Sequence, residues 1–390
     1  MPVESYSCTS AIISAKASAT GKPMLWKHRD TSSLQNRLAR FQGEKYSFTG
    51  LVNSEDYKNE SVWMGCNSEG FAIMNTASYN LKALNDTTQK ADMEGVLMKK
   101  ALSVCKSVDD FQHFLDTISK PMCVEANFGM IDAQGNGAYF EVNNYDYTKY
   151  DVNDSQVAPD GILIRTNYSF SGRENKGMGY IRYENALSQI KSAKGNITPG
   201  FLYGTLGRTY YHSLLEKNYT VNHKDVKWIV DQDYIPRHST SSAMVIEGVN
   251  PGENLSGIVL WTVLGYPPVT PVYPVLMAHP DMLPELLTGN DRNPNSVVCD
   301  NALQLKKSVF PIERGSGQKY IDLDVLYAKG NAQIAVALNQ LEEQIRRKYS
   351  SFAGTAKVPS KEETELFYKE INKLILDYYS ASDTSLSKAD

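Results

Sequence analysis

The chain lacks an excess of positive charge. Forty Lys and Arg stand against 44 Asp and Glu, leaving a net charge of −4. No basic stripe tracks along it, so nucleic acid is not an expected partner. Nor does any apolar run reach the ~20 residues needed to span a bilayer. Residues 1–7 have neither a charged n-region nor an apolar h-region, so they are not a complete signal peptide. If a signal has been trimmed, the expected location is periplasmic or secreted; otherwise it is cytoplasmic. Cysteines number five, at 8, 66, 105, 123 and 299. Their spacing is neither C-x-x-C nor a disulfide framework. The phosphate loop G-x-x-x-x-G-K-[ST], the dinucleotide fingerprint G-x-G-x-x-G and the G-x-S-x-G elbow are all missing. The six histidines never fall at H-x-x-x-H spacing, so a helical zinc pair is not offered. Neither metal nor organic cofactor is expected.

What is present is a chain of 390 residues, 42% hydrophobic and 22% charged, long enough for a large core. Tyrosine is abundant, with 24 against 12 Phe and 4 Trp, which leans toward strands and half-wet pockets. Strands are expected at 9–16, 24–30, 46–52, 61–66 and 71–76, joined by turns such as Gly21-Lys22-Pro23 and Asn67-Ser68-Glu69-Gly70. Apolar periodicity predicts helices over 92–104 and 108–118, the second capped by Ser107. Strands return at 125–132 and 138–142 across Gln134-Gly135-Asn136-Gly137, and again at 161–166. Helical stretches are expected at 180–193 and 225–231, and strands at 242–247, 257–264 and 269–273. Two amphipathic helices follow, over 331–348 and 361–379. This order fits a layered α+β domain. The expected partition is a leader at 1–7, a main domain at 8–329 and a helical extension at 330–390 packed on it.

The chemistry concentrates near the start. Cys8 follows a short polar leader and opens a strand. If the Ser7–Cys8 bond is cut, Cys8 carries a thiol and a free α-amine. That amine has a reference pKa of roughly 7.7–8.0, close to working pH, and can take the thiol proton as general base. Asp30, on the next strand, is placed to orient the amine. Three other readings stand beside this one. Cys8 is a buried structural thiol; or the fold is a non-catalytic binding protein that keeps residues 1–7; or Cys8 or Cys66 pairs with His28 or His238 in an unrelated thiol hydrolase.

The ordered fragments resemble the linear amide C–N hydrolases of the Ntn-hydrolase superfamily: bile salt hydrolases, penicillin V acylases and the isopenicillin-N acyltransferase group. Cys8-Thr9 is similar to the Cys-Thr start of their mature chains. Lys27-His28-Arg29-Asp30 lies where they carry Arg-Asn-x-Asp, with Lys27 at the Arg position and His28 at the Asn. Lys27 and Arg29 share one strand face, so either can supply that cation. Asn67-Ser68-Glu69-Gly70-Phe71 with Met74-Asn75-Thr76, then Arg165-Thr166-Asn167, then Arg237-His238, resemble three further family segments. The resemblance covers about residues 8–264 and implies a four-layer αββα sandwich of antiparallel sheets. It also implies catalytic Cys8, an amine-holding Asp30, oxyanion donors Asn75 and Asn167, and a supporting Arg237. The implied reaction is hydrolysis or acyl transfer on a small-molecule linear amide through a Cys8 thioester, after autoproteolysis. A homo-oligomer is left open. The loops 79–90 and 145–159 are expected near the pocket.

Overall fold

The computed structural model describes residues 7–327, 334–354 and 358–386, with side chains as far as 382. The first six residues of the expected leader and the start of the C-terminal extension lie outside the described residues. The chain opens with a hairpin of β1 (Thr9–Ile13) and β2 (Met24–Asp30), Thr9 standing opposite His28 and Ser10 opposite Lys27. It then crosses to a seven-stranded antiparallel sheet built in sequence order. Its strands are β3 (Asn36–Gln42), β4 (Ser47–Asn53), β5 (Met64–Asn67), β6 (Ala72–Ala77), β7 (Ala126–Ile131), β8 (Gly137–Val142) and β9 (Tyr147–Asp151). Between β6 and β7 come α1 (Glu94–Val104) and α2 (Val108–Thr117). Ser107 caps α2 by accepting from the Asp110 N–H, as expected from its position.

The chain returns to the first sheet with β10 (Ile162–Arg165), which pairs with β1, and continues into α3 (Tyr180–Ser192). Two short strands, β11 (Tyr211–His212) and β12 (Lys217–Asn218), pair with each other. Next are β13 (Trp228–Val230), then β14 (Thr240–Glu247), β15 (Val259–Leu264) and β16 (Tyr273–Leu276). The first sheet thus has the order β10-β1-β2-β14-β15-β16, with its neighbouring strands antiparallel. The chain ends with α4 (Val297–Val309), β17 (Tyr320–Asp322), α5 (Leu323–Tyr327), α6 (Ile334–Ala353) and α7 (Lys361–Leu386).

Four layers result. β1 and β2 face β6 and β7 across the interior. The outer face of the seven-stranded sheet is covered by α1 and α2, whose Met98, Phe111 and Leu115 join Phe71, Phe128 and Phe140 in one apolar cluster. The outer face of the six-stranded sheet is covered by α3 and α4. The C-terminal helices are fastened to that side. Tyr273 donates to Asn372 of α7 at 2.8 Å, and Arg208 makes a buried two-pronged ion pair with Glu342 of α6.

Several local expectations change. Residues 225–231, expected helical, hold strand β13 instead, paired with β17. Trp228, Ile229 and Val230 alternate exposed, buried, exposed, which is a strand period. The strand expected at 269–273 begins only at Tyr273. Pro267 and Pro268 lead a 3-10 turn there and have no N–H to offer a ladder. Residues 145–159, expected as a loop, contain β9. Strand β3 and helix α4 were not foreseen.

β2 occupies the middle of this sandwich, and all seven of its residues are buried. Its sequence nevertheless includes Lys27-His28-Arg29-Asp30. Buried charges at a sheet centre are costly unless each finds a partner. That partnering builds the site.

Candidate active site

Cys8 stands one residue before β1, 5% exposed, between β2 and β10. Continuing the β1–β10 register by two steps sets Asn167 across from Cys8 on that side; continuing β1–β2 by one sets Arg29 across on the other. Alternation along the strands puts Cys8, Ser10, Lys27 and Arg29 on the inner face. The contacts agree. Ser10 hydrogen-bonds the Tyr139 hydroxyl of the facing sheet at 2.8 Å. Lys27 Nζ donates to Asn75 Oδ1 at 2.7 Å and to the Trp63 carbonyl at 2.8 Å. Arg29 donates to Asn36 Oδ1 at 2.6 Å and Asn53 Oδ1 at 2.7 Å, with its guanidinium over the Trp63 ring. Lys27 is therefore the cation tied to the site amide Asn75, while Arg29 braces β2 against β3 and β4.

Burial pushes the Lys27 amine down to about 7, with the nearby Cys8 opposing the shift. Near neutral pH, Lys27 is thus poised between charged and neutral forms. Two carbonyl acceptors match the two N–H donors of a neutral amine, and protonation adds a third.

The other end of the constellation centres on Asp30. Its carboxylate accepts from Thr240 Oγ at 2.6 Å and is ion-paired with Arg237. The same Arg237 Nη2 donates to the Ser7 carbonyl at 2.8 Å. Burial works against the Arg237 charge, but the Asp30 carboxylate outweighs it and holds the guanidinium above its ordinary value. Cys8 Sγ lies 3.8 Å from the Asp30 backbone carbonyl. One guanidinium thus bridges the carboxylate of β2 to the carbonyl of the peptide bond that precedes Cys8.

Sequence reasoning missed Arg182. This fully enclosed side chain of α3 donates to the Cys8 carbonyl at 2.6 Å, to Thr9 Oγ1 at 3.0 Å and to Asn167 Oδ1 at 2.7 Å. Burial, reinforced by Arg237, lowers it to about 9. Its only sequence signal is an Arg on the α3 face that also carries Ala186 and Ile190, a position where a cation needs partners. Asn167 Nδ2 donates to the Ala77 carbonyl at 2.8 Å, tying β10 to the facing sheet. Loop 79–90 reaches the site through Tyr79. Burial raises that phenol well above its usual value, with the Cys8 sulfur contributing.

All six residues singled out from the sequence, Cys8, Lys27, Asp30, Asn75, Asn167 and Arg237, fall in this one buried network. The histidines do not join it as bases. His28 lies on the opposite face of β2, contacts Thr240 Oγ1 at 3.3 Å, and is lowered by burial to about 4. His238 is also lowered to about 4, by burial and by Lys306 and Lys319. The Cys66 thiol is buried in the apolar core and pushed up to about 12. Among the described residues no group of three His, Cys, Asp or Glu could hold a metal ion. No described helix is long and apolar enough to cross a membrane.

Residues 30–198 match the family described as acyl-coenzyme A:6-aminopenicillanic acid acyl-transferase. This segment is similar to a family of the Ntn-hydrolase superfamily. The matched segment opens at Asp30 and takes in Asn75, Asn167 and Arg182, while Cys8 and Lys27 precede it. No curated protein matches the chain. Solved structures similar to it include an N-acylethanolamine-hydrolyzing acid amidase ortholog from Caenorhabditis elegans, at 14% identity and TM-score 0.43, covering 62% of this chain and 92% of that one. A variant of conjugated bile acid hydrolase from Clostridium perfringens has 10% identity and TM-score 0.40, covering 69% and 92%. Penicillin V acylase from Agrobacterium tumefaciens has 12% identity and TM-score 0.41, covering 70% and 86%.

Proposed function

We propose that this chain is an Ntn hydrolase that cleaves or transfers the acyl group of a non-peptide linear amide, with Cys8 as nucleophile. The observation that carries the reading is the Ser7 carbonyl, held by Arg237 at 2.8 Å beside the Cys8 thiol. A donor on that oxygen polarises the bond whose cleavage frees the Cys8 amine. Maturation runs by attack of Sγ on the Ser7 carbonyl carbon and transfer of the acyl group from nitrogen to sulfur. Water then hydrolyses that thioester, and residues 1–7 leave as an acid.

In turnover the freed amine takes the thiol proton, and Sγ adds to the substrate carbonyl. The tetrahedral oxygen accepts hydrogen bonds from the site amides. Asn75 is the stronger donor, because its Oδ1 is occupied by Lys27 and its Nδ2 is thereby oriented as a donor. Asn167, held by Arg182 and already donating to Ala77, is the second. The amine returns the proton to the leaving nitrogen, and the thioester passes to water or to another amine. Asp30 and Arg237 fix the position of the new amine throughout.

The test is intact mass followed by turnover. Wild-type protein is expected to lose residues 1–7 and to hydrolyse simple N-acyl amides. Cys8→Ala is expected to keep residues 1–7 and show no turnover. Equal hydrolysis by Cys8→Ala would sink the proposal.

A further inference from the structure

A cavity of about 630 Å3 lies between α3, α6 and the chain at 196–209. It is on the far side of the six-stranded sheet from the inner face that carries Cys8. The chain there packs against β14. A Cβ on Gly207 would come 3.7 Å from Nδ1 of His28, which lies on the outer face of β2.

The cavity floor is a distorted helical segment. Phe201–Thr205 forms a π-helical turn, with the Leu206 N–H reaching back to the Phe201 carbonyl. It tightens at once into a 3-10 turn over Leu206–Arg208. Such π turns are rare and occur mostly at functional sites. Gly200 and Gly204 line the cavity here, and neither has a positive φ. A Cβ on Gly204 would meet Arg208 Nη1 at 3.9 Å and Glu342 Oε2 at 4.0 Å, and one on Gly200 would meet nothing nearer than 3.7 Å. Alanine therefore fits at both positions, and it favours a helical turn more than glycine does. Neither backbone angle nor packing asks for these glycines. Close approach of a ligand to the backbone does.

The unspent polar groups around this floor are mainly donors. Arg208 gives Nε to the Pro267 carbonyl, Nη2 to the Thr270 carbonyl and Glu342, and one Nη1 hydrogen to Glu342. The second Nη1 hydrogen is left over, on the atom closest to the Gly204 position. Thr198 Oγ1 accepts from the Phe201 N–H and Thr209 Oγ1 from the Tyr211 N–H, both at 3.1 Å, so each keeps an O–H to donate. Asn218 Oδ1 accepts from the Thr220 N–H at 3.1 Å, which leaves its Nδ2. Glu342 offsets the Arg208 charge, and Arg346, which donates to the Tyr203 hydroxyl at 3.3 Å, makes the lining net positive. Surplus donors beside a surplus cation suit an oxyanion. The volume is that of a small-molecule site and exceeds what a bare ion fills. Gln189 and Asn339 line the rest of it, and their amides both donate and accept, as hydroxyl groups do.

We propose that this cavity binds a small organic oxyanion with a hydroxylated body, of the size of a sugar phosphate or a sugar acid. The site is separate from Cys8 and does not rest on the catalytic reading above.

The test is calorimetric titration of the full chain at fixed ionic strength with glucose 6-phosphate, glucuronate, glucose and inorganic phosphate. Glucose 6-phosphate, glucuronate or both are expected to bind at least about tenfold more tightly than glucose or inorganic phosphate, and the tighter of the two tells a phosphate site from a carboxylate site. Arg346→Ala and Gly204→Ala are each expected to weaken that binding by about tenfold. Gly204→Ala should do so with a melting temperature that is unchanged or raised, whereas a glycine of structural importance alone would lower it. Cys8→Ala is expected to bind as wild type does, so loss of the catalytic reading leaves this site standing. Affinity that survives both cavity substitutions overturns the proposal. So does glucose or inorganic phosphate binding as tightly as the organic anions, or no binding of any of the four.

Discussion

Replacing Lys27 by Met removes a titration that the buried site imposes on the folded chain. Lys27 is 2% exposed and falls from 10.5 to about 7 on folding. Each unit is worth about 1.4 kcal/mol, so the whole shift is on the order of 5 kcal/mol. Below pH 7 the amine is charged in both folded and unfolded chains, and the cost of burying the charge is borne in full. Between pH 7 and 10.5 the folded chain releases a proton that the unfolded chain still holds, so stability rises with pH by about 1.4 kcal/mol per unit. Above 10.5 both forms are neutral and the gain is complete. Equilibrium urea unfolding of wild type and Lys27→Met in steps from pH 6 to 9.5 reads this directly. Other titrating groups cancel in the difference between the two proteins. Wild type is expected to gain about 2–3 kcal/mol on the variant between pH 7.5 and 9.5. Parallel stability curves would refute both the depressed amine and its assigned cause.

Three further substitutions probe the same network. Asn75→Ala is expected to lower kcat by about 100-fold to 1000-fold, the loss of one oxyanion donor; alkylation of Cys8 should proceed as before, and an unchanged kcat would remove Asn75 from the oxyanion site. Arg182→Leu leaves the Cys8 carbonyl, Thr9 hydroxyl and Asn167 amide without their buried cation, and is expected to cost about 3 kcal/mol in urea unfolding. Arg182→Lys should restore only part of that, because an ammonium cannot reproduce the planar fork that now spans three acceptors. Arg237→Gln removes the donor on the Ser7 carbonyl and is expected to leave most molecules with residues 1–7 attached, as read by intact mass.

The layered fold and the centre of the site were legible because their signals are local and periodic. β2 is a run bounded by turn residues, and its consecutive charges could only be a site once it was buried on both faces. Cys8 and Asp30 lie on the two arms of one hairpin, so their proximity follows from the turn between them. Asn75 and Asn167 come from different sheets, and only the resemblance joined them to Cys8. Arg182 was illegible because an Arg on a helix face reads as solvated until the helix is docked. Strand β13 was misread for a related reason. Its three residues are too few for periodicity to separate strand from helix, and its partner β17 is distant in sequence. The choice between Lys27 and Arg29 needed the facing sheet, since strand alternation puts both on one side.

The guanidinium that joins Ser7 to Asp30 has a consequence for charge. Before cleavage, Lys27, Arg182 and Arg237 share the neighbourhood of one carboxylate. Removing residues 1–7, as proposed, would take an uncharged carbonyl from Arg237 and put an ionisable amine in the same place. The enclosed volume would then hold one more cation unless a proton leaves. Maturation as proposed would therefore do more than uncover a thiol. It would crowd the site with like charge, which drives Lys27 further toward its neutral form. A leaderless chain should accordingly titrate Lys27 at lower pH than the precursor, measurable by 15N NMR of the lysine amine in both forms.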